Sequence, residues 1–224
     1  MNETSLQGRQ SDFANDLRTR GCAVCNHVIK TGRDFFAQWQ YALSRDAAAQ
    51  TKFAVELGFC ARHTWQLHSM SSPWGESVGL AALTEEISRL LAKIECDETA
   101  GLNVHKILRD RESCRVCVML EDAEEAYIKG LAIFVSDKKG AESYKRSGGV
   151  CLHHLAQMLA VVSRPVREVL LTTASRRFEQ VTKQMRDYAA KREAVRRDLI
   201  GADEENASLR ALIHIVGAQE YSAL

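Results

Sequence analysis

Six of the seven cysteines in this 224-residue chain fall into two triplets, and each triplet is followed by a histidine. Cys22, Cys25, Cys60 and His63 read C-x2-C-x34-C-x2-H. Cys114, Cys117, Cys151 and His154 read C-x2-C-x33-C-x2-H. The two sets align at offsets of 92 residues for the first couple and 91 for the second, the signature of an internal duplication. A spacing of two residues lets both members of a couple turn toward one ion. Three thiolates with one imidazole form one of the tetrahedral sets that structural zinc accepts. The expectation is that each half closes its own site, so that two zinc ions are held.

Other chemistries compete for the same residues. An iron-sulfur cluster is the rival cofactor, because mixed cysteine and histidine sets can hold one. A pair of catalytic dithiols would also use C-x-x-C, but it needs no histidine partner and is usually set in a βαβ context that is missing here. The blandest reading is six buried cysteines that bind nothing. His153, His27 and His68 fall out of register between the halves and are not expected as ligands; His105 and His214 read as ordinary surface or partly buried residues. Cys96 stands alone.

The long insert between the couples must bring them together, and it reads as helix. Val28, Phe35, Phe36, Trp39 and Leu43 recur at helical spacing, which predicts an out-and-back helical hairpin. The second half repeats the plan through "LEDAEEAYIKGLAIFVS", a "DKKG" break and "AESYKRSGG". Gly58 and Gly149 each stand two residues before the third cysteine, where positive φ could swing the chain into the site. Pro73 reads as a break, with a bridging helix after it over 78–95. The acidic cluster Glu121, Asp122, Glu124 and Glu125 reads as a helix's first turn, favoured by the helix dipole.

From Arg164 to Ile200 the chain carries ten Lys or Arg against five Asp or Glu, with an apolar stripe from Val166 to Leu199. This predicts a long helix packed on the core with a solvated basic face. A final short helix is expected to bury Leu209, Leu212, Ile213 and Val216. Alternating strand patterns are almost absent, so the fold class expected is all-α. The boundaries expected are 1–75 for the first repeat, 76–112 for the bridge, 113–163 for the second repeat and 164–224 for the C-terminal helices.

Composition narrows the function classes. With 46% apolar and 26% charged residues and a net charge of +1, the chain has an ordinary globular balance and no global field that would draw nucleic acid or an acidic membrane. Seven cysteines without a leader-like N-terminus point to a reducing, cytoplasmic setting, and no run is long enough to span a bilayer. No paired carboxylate or Ser/His/Asp pattern marks a catalytic site, so an enzyme is not the expectation.

The paired motifs together with "LRALIHIVG" resemble those of a poorly characterised prokaryotic family of all-helical proteins carrying CxxC…CxxH ligand sets. The resemblance covers most of the chain. It implies that the eight ligand residues define the protein, and it implies no activity. The expected function is that of a metal-binding accessory module with a protein partner, the alternative being an iron-sulfur protein in electron transfer or redox sensing.

Overall fold

In a computed structural model, residues 12–193 and 200–216 are described, and all regular structure among them is helical. After a helical turn at 12–16 come α1 (Ala23–Arg45), α2 (Ala47–Val55), α3 (Ala61–Met70), α4 (Pro73–Leu91) and α5 (Ala100–His105). The second half follows with α6 (Arg115–Ser136), α7 (Lys138–Arg146) and α8 (Leu152–Val161). The chain then runs into α9 (Arg164–Glu193), α10 (Ala202–Glu205) and α11 (Ala207–Val216). No helix among the described residues is long and apolar enough to cross a membrane.

The helices of the two halves match in length. α1, α2 and α3 have 23, 9 and 10 residues, and α6, α7 and α8 have 22, 9 and 10. Each long helix gives way to its short successor at an aspartate cap. Asp46 accepts from the Ala48 amide, and Asp137 accepts from the Lys139 amide, each satisfying a donor that the first helical turn leaves open. The expected break at "DKKG" thus lies at Asp137. Gly140 sits inside α7, where a Cβ would lie 1.8 Å from the Phe134 carbonyl oxygen. Only glycine lets the short helix fold this close against the end of the long one.

The chain divides into two compact units. The first unit takes the residues up to Ile29 and those from Glu124 onward; the second takes Lys30–Ala123. The division cuts α1 and α6 in their interiors, because each long helix carries core residues of both units. In the second unit, Phe36, Phe53 and Phe59 are buried and pack edge to face, with ring centroids 5.0 Å apart for Phe53 and Phe59 and 6.0 Å for Phe36 and Phe59. Phe35 and Trp39 flank them half-buried. α4 packs on α2 here. The expected break is present, with α3 ending at Met70 and Ser71 and Ser72 extended, but α4 starts at Pro73 itself and not at 78: Ser72 caps it by accepting from the Gly75 amide, and the ring occupies a first-turn position that needs no donor.

In the first unit, α9 packs against α7, α8, α10 and α11. Val166, Leu170 and Val181 are buried along it, as the stripe predicts, together with Thr173. The stripe's last members, Val195 and Leu199, lie outside the described residues. α11 departs from expectation. Its small residues Ala207 and Ala211 are buried, whereas Leu209 and Leu212 are more than half exposed. Close helix approach selects the alanine face, and the leucines turn outward. The side chain of Val216 lies outside the described residues.

Candidate metal centres

All four couples are built alike. Cys60 and Cys151 are the N-cap residues of α3 and α8, and Cys22 and Cys114 immediately precede α1 and α6. The second member of each couple therefore lies in the first helical turn, one turn above the cysteine that precedes it. Amides of the first helical turn reach the Cys114 sulfur, from Val116 and Cys117, and the Cys151 sulfur, from His154, and favour the thiolate form there. Ahead of Cys60 and Cys151 the chain turns at Gly58 and Gly149, with φ of +74° and +72°. The positive φ anticipated from sequence is present at both.

The structure brings all eight residues into two clusters, but it crosses the couples. Cys22 and Cys25 meet Cys151 and His154, whereas Cys114 and Cys117 meet Cys60 and His63. The expectation that each half closes its own site is thereby corrected. The reason lies in helix length. An outgoing helix of 23 residues advances about 34 Å, whereas a return helix of 9 residues recovers only about 14 Å. The hairpin comes only part of the way back, so the third cysteine of each half meets the opening couple of the other.

Each cluster lies within one unit and is fully buried in its core. In the first unit, His154 Nδ1 lies 3.3, 3.5 and 3.1 Å from the sulfurs of Cys22, Cys25 and Cys151, and the sulfurs of Cys25 and Cys151 are 4.0 Å apart. In the second unit, His63 Nδ1 lies 3.3, 3.5 and 3.3 Å from those of Cys60, Cys114 and Cys117, with Cys60 and Cys117 3.8 Å apart. These sulfurs are too far apart for disulfides, and none of the six cysteines is in one. A tetrahedron with Zn–S of about 2.3 Å and Zn–N of about 2.0 Å has S···S edges of about 3.8 Å and S···N edges of about 3.5 Å. The four separations given for each cluster lie within about 0.4 Å of these edges.

The electrostatics of the clusters show what they would favour at their centres. Burial raises the Cys117 thiol, and the neighbouring Cys114 charge pushes it further, to about 12. Burial opposes ionisation of Cys114 too, but its hydrogen bond with His63 and the amides of Cys60, Cys117 and Val116 bring it down to about 6. In the other cluster, hydrogen bonds from Cys22 and Cys25 carry Cys151 far below the ordinary thiol range against the effect of burial. Burial would lower His154, yet its contacts with Cys151, Cys22 and Glu124 raise it to about 11. Thiolates packed this closely repel one another, and a divalent cation at the centre removes the conflict.

The clusters differ in how the histidine is held from behind. With Nδ1 directed at the sulfurs, Nε2 is left to find a partner in the protein. The Glu124 carboxylate lies 3.3 Å from His154 Nε2, and His153 Nε2, on an exposed ring, lies 3.7 Å from the same oxygen. His63 Nε2 is buried with no partner among the described residues, and Phe36 packs against its ring, whereas the Glu124 carboxylate meets His154 Nε2 at ion-pair distance, outside hydrogen-bond geometry. The counterpart of Glu124, seven residues after the second cysteine, is Gly32 in the first half. Glu124 is the residue that sequence reasoning missed. It stands, with Glu121, Asp122 and Glu125, beyond the first turn of α6, so the helix-dipole account expected for the cluster does not apply. Its signal was the one acidic residue in the acidic cluster two helical turns past a ligand cysteine.

The remaining histidines take other roles. His27 stacks on Tyr127, with centroids 4.3 Å apart; His68 pairs with Glu76 at 2.8 Å; His105 is exposed. The His214 side chain lies outside the described residues, and Cys96 is exposed and free. No family model, curated protein or solved structure shows significant similarity to this chain.

Proposed function

We propose that this chain holds two zinc ions, one in each cluster, as closed structural clamps, and that it acts as a non-catalytic accessory module toward a protein partner in the cytoplasm. The observation that carries the zinc reading is the match between the ligand separations and the edges of a single-ion tetrahedron in both clusters. An iron-sulfur cluster spreads its four ligands over two or more irons, so ligands on different irons must lie farther apart than one tetrahedral edge. Protein atoms would fill all four positions around each ion. A site of that kind leaves no coordination place for an activated water or substrate, which favours a structural role over catalysis. The duplicated motif and the matched helix lengths support descent from one hairpin unit, as does the resemblance to all-helical CxxC…CxxH proteins.

Elemental counting on anaerobically purified protein, with an absorption spectrum alongside, tests this reading. The expected result is about two zinc per chain and no visible band. Iron with acid-labile sulfide and a broad visible absorption overturns it and makes the chain a redox protein.

A further inference from the structure

The first unit carries a second built feature, distinct from its ligand cluster. A cleft of about 630 Å³ opens beside the two turns that lead into Cys22 and Cys151, with Gly21 and Gly148 on its wall. That volume lies within the range of small-molecule sites, roughly 300–1,000 Å³. Five arginines line it: Arg18 and Arg20 from the turn before Cys22, Arg146 from the end of α7, Arg177 from α9 and Arg210 from α11. Asp203 is the one acidic residue on the wall, and it is taken up by Arg210, whose guanidinium also bonds Gln184. Among the described residues, no carboxylate pairs with Arg18, Arg20, Arg146 or Arg177.

Cations are gathered here at a cost. Arg177 is half-buried and donates to the Arg146 carbonyl oxygen at 3.1 Å, which holds its guanidinium at the wall. Burial and the adjacent Arg176 charge lower its pKa from the ordinary arginine value. Arg18, Arg20 and Arg146 are exposed at the rim of the cleft, and a chain with a net charge of +1 has no general excess of cations that would place four guanidinium groups without an ion pair around one cavity. Arginine forks arriving from separate segments suit an anion that offers acceptor oxygens in several directions. A tetrahedral phosphate does so, and linked phosphates supply enough charge to meet several arginines. We propose that this cleft binds a small molecule carrying two or more linked phosphate groups. The enclosing shape, built from four segments, favours a compact ligand over a nucleic-acid strand, which needs an extended basic track.

The probe is inorganic tripolyphosphate, titrated calorimetrically into the full-length, metal-loaded protein, with bound metal counted before and after. Arg18→Gln and Arg146→Gln remove cations that make no ion pair in the fold, and Lys129→Gln, on the surface of α6, is the control. The expected result is saturable binding at one site per chain. It should weaken about tenfold or more in either arginine variant, the loss of one charge-assisted hydrogen bond. The control should be unchanged, and metal content and melting curves should stay those of the parent. Four outcomes overturn the proposal: no saturable binding, equal binding by the Arg18→Gln/Arg146→Gln double variant, heat that accompanies metal loss, or tighter binding of a single-stranded oligonucleotide than of tripolyphosphate.

Discussion

Glu124 stands seven residues beyond Cys117, yet its carboxylate serves the histidine of the other ligand set, 3.3 Å from His154 Nε2. A carboxylate behind a ligating imidazole fixes the ring, sets the tautomer that leaves Nδ1 free to bind, and raises the basicity of that nitrogen. His63 has no such support, since Gly32 occupies the matching place. The two ions should therefore leave at different rates when the protein is challenged with a chromophoric chelator, the one at His63 first. Glu124→Ala should weaken the His154 site about 10- to 100-fold and leave the His63 site untouched. Chelator competition reads both: a single phase in the parent protein, or a variant whose slow phase is unchanged, would remove Glu124 from the site.

At the scale of the helices, two glycines set the geometry that delivers the ligands. Gly58 turns the chain into Cys60 at φ +74°, where any Cβ is strained, and an added methyl would also meet Leu83 Cδ2 at 2.9 Å. Gly58→Ala should cost about 1–2 kcal/mol. Gly140→Ala drives a Cβ into the Phe134 carbonyl, a backbone group that cannot rotate away, and should cost about 3 kcal/mol or more. Urea unfolding of the metal-loaded variants measures both, and a smaller loss for Gly140→Ala than for Gly58→Ala would show that the α6–α7 approach is looser than described. These elements also mark what could be read in advance. Helix type, the glycine turns and the membership of all eight clustered residues follow from local spacing, because a couple is one helical turn and a stripe is one helix face. Pro73 and Asp137 were legible only as punctuation. Whether a proline ends a helix or begins one depends on the cap before it, and Ser72 accepting from the Gly75 amide decides that. The burial of Ala211 over Leu212 depends on how closely a neighbouring helix approaches, which no periodicity encodes.

Over the whole chain, the crossing of couples is the feature that spacing conceals. A C-x2-C motif specifies its own two ligands, but nothing in it specifies which distant couple completes the tetrahedron. That choice is made by the mismatch between a long outgoing helix and a short return. Crossing changes what a metal would do for the fold: an ion held in either cluster would tie residues more than fifty positions apart, and in the first unit His154 contacts Cys22 across 132 residues. Closing so long a loop restricts the unfolded chain more than a clamp within one half would, so metal binding contributes directly to stability. The pairing can be tested by removing couples in combination. Replacing Cys22, Cys25 and Cys151 by Ser and His154 by Ala deletes one crossed site and should leave about one tightly held zinc. Replacing Cys22, Cys25 and Cys60 by Ser and His63 by Ala damages both sites and should leave none. If each half closed its own site, the results would be reversed, with the first variant empty and the second keeping one ion. Zinc counting after dialysis against a weak chelator distinguishes the two arrangements, and an ion retained by the first variant cannot be produced by misfolding.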